Sequence, residues 1–272
     1  MRGREFNDWA VLKWAVKFSL PAVFIAGCVS SSYNVATQQQ ETLLISTERE
    51  IAMGEAIARK VEEEFTVIHD PKLLEQVDRV GAKIASVADR KDLSYRFTIV
   101  TMPDDQPNAF ALPGGPVYAT RSLLDLIQSD DQLAAILAHE VGHIVAKHTV
   151  KRIQGAMGLT LLQILAAGTR TTDTRTRQGI DLAFTSLLTE YSQQDELEAD
   201  RLSVKYMKIA GYDPSAALTV MERLRDRSFK EPLRQFSYFR THPFFADRIR
   251  LLRQEAQGHI TFDDYINQKR NP

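Results

Sequence analysis

Apolar residues recur at three- and four-residue intervals over long stretches of this chain, and at two-residue intervals over short ones. Leu73, Leu74, Val77, Val80 and Ile84 share one face of a helix that Asp70-Pro71 opens. The run Leu133 to Ala138 sits in a second helical pattern, capped by Ser129-Asp130-Asp131-Gln132. A third, beginning near Ser192, continues through Leu202, Val204, Met207 and Ile209; Gly211, Asp213 and Pro214 stop it and start another. Thr47-Glu48-Arg49-Glu50 has the form of a capping box and predicts a helix to about Phe65. Strand signals are fewer. Tyr95 to Thr101 alternates, with Phe97 and Ile99 on one side, and Asn108 to Ala111 pairs with Pro116 to Ala119 around a Gly114-Gly115 turn. Met157 to Ala167 is apolar on most faces and predicts a buried core helix or, as the alternative, one that touches lipid, though at about 11 residues it is too short to cross a bilayer. Arg170 to Gln178 reads as a polar loop near the cleft. These elements sum to an α+β fold, mostly helical, with one small sheet.

The second helix carries the chemistry. His139-Glu140-Val141-Gly142-His143 is an HExxH pentapeptide, and helical geometry puts both imidazoles on one face, able to reach one metal ion. Glu140 lies close enough to work on a metal-bound water without being a ligand. Zinc is the ion such pairs most often hold, and a catalytic site needs a third protein ligand and an open position. The pentapeptide alone is weakly specific, so that third ligand matters. Downstream, Glu196 and Asp200 stand four apart on one helical face while Glu198 points elsewhere. Glu196 is the candidate ligand, and Asp200 can accept the free ring N–H of a liganding histidine.

His139-Glu140-Val141-Gly142-His143 followed by Glu196-Leu197-Glu198-Ala199-Asp200 resembles the gluzincin zinc metallopeptidases of the HtpX, BepA and LoiP type, a family that also contains the CAAX prenyl endopeptidases. Asn108 to Tyr118 is similar to the family's edge-strand motif, and Thr241-His242-Pro243 with Arg248-Ile249 to its C-terminal signature. The matches span about residues 47 to 256 in the expected order. The resemblance implies one zinc per chain on His139, His143 and Glu196, with Glu140 as general base and Asp200 behind the ligands. It also implies substrate binding by β-augmentation along Asn108, Ala109, Phe110 and Ala111. For His242 three roles stay open: a surface residue before Pro243, a fourth ligand that keeps the enzyme latent, or a catalytic donor to the oxyanion. Arg248 either stabilises the oxyanion or pairs with an acid. His69, His148 and His259 are assigned to structure or surface.

The N-terminal segment bears on location. Arg2, Arg4, Lys13 and Lys17 precede the apolar run Phe18 to Ala26, which ends Ile25-Ala26-Gly27-Cys28. A basic start, a short apolar run and small residues describe a secretory signal, and the run is too short to span a bilayer. Ile-Ala-Gly-Cys further resembles a bacterial lipobox. Cys28 is the one cysteine, so no internal disulfide is available and lipidation gives that thiol a purpose. Val29, where an aspartate would favour inner-membrane retention, points to the outer membrane, facing the periplasm. The expected organisation is a signal peptide over 1–27, a Ser-, Gln- and Thr-rich flexible tether over 28–46, a metallopeptidase domain over 47–258 and a tail over 259–272.

Composition excludes little but agrees. A hydrophobic fraction of 44% supports a sizeable core, and a net charge of −1 without any basic block excludes a nucleic-acid partner. The resulting expectation is a zinc endopeptidase cleaving unfolded or misassembled envelope proteins, with outer-membrane assembly machinery as a partner. The competing expectation is a zinc-containing lipoprotein chaperone for outer-membrane protein assembly, with little or latent proteolysis.

Overall fold

In the computed structural model, the described residues are 30–34, 37, 39–43, 45–157, 174–230, 234–244 and 246–257. Strands β1 (Ser30–Asn34) and β2 (Gln39–Leu43) form an antiparallel hairpin. Within the flexible tether expected over 28–46, residues 30–34 and 39–43 are paired strands. Polar composition does not prevent this, because the ladder is made by backbone groups, and Asn34 Nδ2 anchors the hairpin by donating to Val145 O at 2.9 Å.

Helix α1 (Thr47–Glu64) begins as its sequence predicts, but not through a capping box. Its N-cap is Ser46, without a side-chain cap bond, and Glu50 is buried against Arg90 instead, with Arg90 Nη1 2.8 Å from each carboxylate oxygen. Glu50 Oε1 also accepts from Gly114 N at 3.2 Å. The short β3 (Thr66–Val67) leads to α2 (Pro71–Val87), where Asp70 caps by accepting from Lys72 N and Leu73 N. Then come β4 (Arg96–Thr101), β5 (Ala109–Ala111) and β6 (Pro116–Thr120). The sheet order is β3-β4-β6-β5; β4 and β6 run parallel and the outer pairs antiparallel, so β5 is an edge strand. Gly114 closes the β5–β6 turn at φ 77°, in the left-handed region that favours glycine.

Period-two alternation sends the side chains of this sheet into two apolar clusters. Phe97, Ile99, Ala111 and Val117 join one with α2 residues; Val100, Phe110 and Tyr118 join another with α1 residues, the Phe110 and Tyr118 rings stacked at 5.1 Å. After α3 (Arg121–Leu124), the HExxH helix α4 (Asp130–Val145) starts at Ser129, whose hydroxyl accepts from Gln132 N. Every residue of α4 from Gln132 to Val145 is buried. Lys147, at φ 58°, breaks the helical path and starts α5 (His148–Met157). The expected core helix over Met157 to Ala167 lies, apart from Met157, outside the described residues. Of the expected loop over Arg170 to Gln178, the described part is helical: it opens α6 (Thr174–Leu187).

The remaining elements are α7 (Gln193–Ala210), α8 (Ser215–Lys230), α9 (Tyr238–Thr241) and α10 (Ala246–Gln257). Helix α7 has a capping box between Ser192 and Asp195 and a left-handed C-cap at Gly211. It packs tightly along α4 because Gly142 lacks a side chain: a Cβ there would lie 3.1 Å from Ala199 O and 3.3 Å from Leu202 Cβ. The glycine inside HExxH thus sets the distance between the two helices that carry the ligand-type residues. Among the described residues, no helix is long and apolar enough to cross a membrane.

Candidate metal centre

Helices α4 and α7 bring His139, His143 and Glu196 to one point, and the segment after α9 adds His242. Ligand-type atoms of these four buried residues all lie within 4.8 Å of one another. His139 Nε2 is 3.1 Å from His143 Nε2 and 3.6 Å from Glu196 Oε2; His143 Nε2 is 3.4 Å from Glu196 Oε1. His242 turns Nδ1 into the group, 3.0 Å from Glu196 Oε1 and 3.4 Å from His139 Nε2. Its ring is wholly buried and stacks on Tyr238 at 4.6 Å, which sets aside the surface role open to it in the sequence. The donor set of three imidazoles and one carboxylate fits zinc.

Glu140 faces this group. Its carboxylate has no exposed surface, and neither oxygen has a hydrogen-bond partner among the described residues; Oε1 lies 3.5 Å from His242 Nε2, itself without a hydrogen bond. Burial raises the Glu140 pKa above its ordinary value, against the neighbouring His242 and His139 charges. A carboxylate buried without donors is costly and calls for a partner such as a metal and its water.

Behind the ligands stands an ionic clamp. His139 Nδ1 lies 2.9 Å from Asp200 Oδ1, and Arg248 grips Asp200 through Nε and Nη2, both at 2.7 Å. The same guanidinium reaches Glu196 Oε2 through Nη1 at 2.5 Å. Burial opposes ionisation of Glu196, but the Arg248 and His242 charges overcome it and hold its carboxyl well below the usual range. Asp200 is likewise lowered against its burial, mainly by Arg248. For His139, burial is outweighed by Asp200 and Glu196, raising its pKa to about 9, whereas burial holds His143 well below its ordinary value.

Asp200 therefore sits where the sequence placed it. Of the two roles open to Arg248, the observed contacts are with acids: its guanidinium pairs with Asp200 and Glu196. The edge-strand expectation has its residues in place, with Asn108 just before β5 and Ala109, Phe110 and Ala111 forming it. Three contributors were not foreseen. Tyr191 stacks on His143 at 3.9 Å and Tyr238 on His242, both from outside the recognised motifs. His148, expected to be structural or on the surface, is buried with Nδ1 3.0 Å from His143 Nδ1. The break at Lys147 swings it back towards the site, and no helical spacing announces that. His259 and Cys28 lie outside the described residues, and His69 is exposed.

An HExxH helix packed against a glutamate-bearing helix, with a buried carboxylate facing a four-residue donor set, is the residue arrangement of a metallopeptidase site. The model of Peptidase family M48 matches residues 71–256. The chain belongs to that family. Over 184 residues it is 34% identical to the mitochondrial metalloendopeptidase OMA1 of Schizosaccharomyces pombe, covering 66% of this chain and 53% of the relative. It is also 28% identical over 266 residues to the beta-barrel assembly-enhancing protease of Escherichia coli, covering 92% of this chain and 52% of the relative. The chain thus spans about half the length of these relatives.

Proposed function

We propose that this chain is a zinc-dependent endopeptidase that cleaves unfolded or misassembled proteins of the bacterial envelope. The observation that carries the reading is the Glu140 carboxylate, wholly buried, without a hydrogen-bond partner among the described residues and facing four ligand-type side chains. When bound by His139, His143 and Glu196, zinc supplies Lewis acidity towards the scissile carbonyl and makes water a nucleophile near neutral pH. Glu140 accepts the proton of the attacking water and delivers it to the leaving amine. Asp200 fixes the His139 ring by accepting its Nδ1–H, and Arg248 fixes Asp200.

Edge strand β5 supports an extended, unfolded substrate. Asn108 O and Leu112 N bond to β6, so alternation turns the main-chain groups of Ala109 and Ala111 to the opposite, buried edge, where Ala111 O accepts from Thr149 Oγ1 at 3.3 Å. Hydrogen bonds to a substrate there require this edge to open, and they accept any side-chain sequence. Envelope location rests on the basic leader and the Ile-Ala-Gly-Cys segment. A link to outer-membrane assembly rests on the beta-barrel assembly-enhancing relative.

Complete burial of Glu140, His143, Glu196 and His242 favours a latent form of the same enzyme. Through Nδ1, His242 completes a closed donor set; turned away from it, Nε2 is free to donate to an oxyanion. The test is cleavage of casein by the parental protein and by His242→Ala, with and without a chelator. Cleavage that both the chelator and Glu140→Gln abolish supports the peptidase. No cleavage by either protein would leave the zinc-containing chaperone as the better reading. For the anchor, intact mass of the mature protein decides: it begins at acylated Cys28 or the lipoprotein proposal is wrong.

A further inference from the structure

The two HExxH histidines are held in different ways. His139 meets a carboxylate directly, whereas His143 Nδ1 meets the Nδ1 of another imidazole, His148, at 3.0 Å. His148 in turn places Nε2 3.0 Å from Glu198 Oε2 and 3.4 Å from Asp195 Oδ1. His148 is almost fully buried, while the Glu198 side chain retains about a fifth of its exposure. The sequence predicts that Glu198 points away from the site; it does leave the ligand face, but only to reach the next residue in this chain of contacts.

We propose that His148 and Glu198 are positioning residues that set the His143 tautomer for metal binding, an inference that rests on the zinc reading of the site. Hydrogen-bond roles follow from the far end inward. An ionised carboxylate only accepts, so His148 must carry its proton on Nε2 to satisfy Glu198. With that single proton on Nε2, His148 presents a bare Nδ1 to His143, which then donates from its own Nδ1. Neutral His143 is left with its lone pair on Nε2, the atom that lies 3.1 Å from His139 Nε2 and 3.4 Å from Glu196 Oε1. Each link carries one proton and each points the same way. The opposite tautomer would put a lone pair of His148 against the Glu198 carboxylate and an N–H of His143 into the ligand group. Ring rotation is also restrained, because Tyr191 stacks on His143 at 3.9 Å and is itself held by Thr149 Oγ1 at 2.8 Å. Positions 148 and 198 thus act on His143 as Asp200 acts on His139, with one imidazole interposed.

The test combines zinc affinity with a tautomer readout on the same variants. Competition against a chromophoric chelator should show a zinc Kd about 10–100-fold weaker for Glu198→Ala and His148→Phe, the range expected when a partner of a liganding histidine is lost. Glu198→Gln should recover most of the affinity, since its carbonyl oxygen still accepts from His148. Histidine ¹⁵N–¹H spectra of the metal-free protein should show His143 protonated on Nδ1 in the parental chain and as a tautomer mixture in Glu198→Ala. Because position 198 is partly exposed, that variant keeps the experiment informative if His148→Phe does not fold. Parental zinc affinity and an unchanged His143 tautomer in Glu198→Ala would overturn the proposal. Failure of the parental protein to take up zinc would instead refute the zinc reading, and the tautomer spectra would still decide the relay.

Discussion

Two buried arginines in this molecule make similar ion clusters with different consequences. Arg90 grips Glu50 and touches Asp92, 2.8 Å away; Arg248 grips Asp200 and touches Glu196. Both guanidiniums are held above their ordinary pKa by these carboxylates, against the effect of burial. What differs is where the carboxylates lead. Glu50 ends on the backbone of Gly114, and Asp92, half-exposed, on the hydroxyl of Thr47. Asp200 and Glu196 end on the imidazoles of His139, His143 and His242. A buried charge cluster with shifted titration is therefore not by itself a sign of chemistry. The first cluster fixes a turn, the second fixes ligand-type side chains, and Glu140, whose carboxylate has no hydrogen-bond partner among the described residues, stands beside the second.

The largest expected effect separates chemistry from support. Glu140→Gln should lower turnover by about 10²–10⁴-fold while melting temperature and zinc content stay parental. A variant that cleaves at the parental rate would remove Glu140 from the mechanism. Next comes an exchange of the two arginines. Arg248→Met should destabilise the fold by about 3–5 kcal/mol, because it strands two buried carboxylates, and should also weaken zinc binding. Arg90→Met should cost no more than that, since Asp92 can rehydrate, and should leave the zinc Kd of the folded protein unchanged. Denaturant unfolding and chelator competition on both variants check this; a selective loss of zinc in Arg90→Met would break the comparison.

Gly114→Ala probes the scaffold cluster at its far end. With φ at 77° and a new Cβ only 2.6 Å from Ile51 Cα, the cost should be about 1–3 kcal/mol in unfolding free energy, without change in zinc affinity. The smallest effect concerns protons. His139 is raised to about 9, so the metal-free protein carries this proton at pH 7 to 8 and zinc must expel it. Zinc affinity should then rise by about tenfold per pH unit between those values and fall on acidification. Calorimetry in buffers of different ionisation enthalpy should count about one proton released, in the parental chain and in Arg90→Met alike.

Much of the site was legible because its parts are local. HExxH, the Glu196–Asp200 pair, the caps at Asp70 and Ser129 and the Gly114-Gly115 turn each depend on spacing within one element. Helix and strand periods dictate which residues of an element share a face, and the sequence determines that directly. It does not determine which faces meet. The union of His242 with His139, 103 residues before it, the commitment of Arg248 to Asp200, the diversion of Glu50 from a capping box to Arg90, and the return of His148 to His143 all arise between elements. The same holds for the β1–β2 hairpin, whose polar residues gave no sign of pairing. Buried charges and ring nitrogens take whatever partner packing brings within about 3 Å, because leaving them unpaired in a low-dielectric interior costs more than the choice among partners. Periodicity is a property of the chain, whereas satisfying buried polar groups is a property of the packed whole.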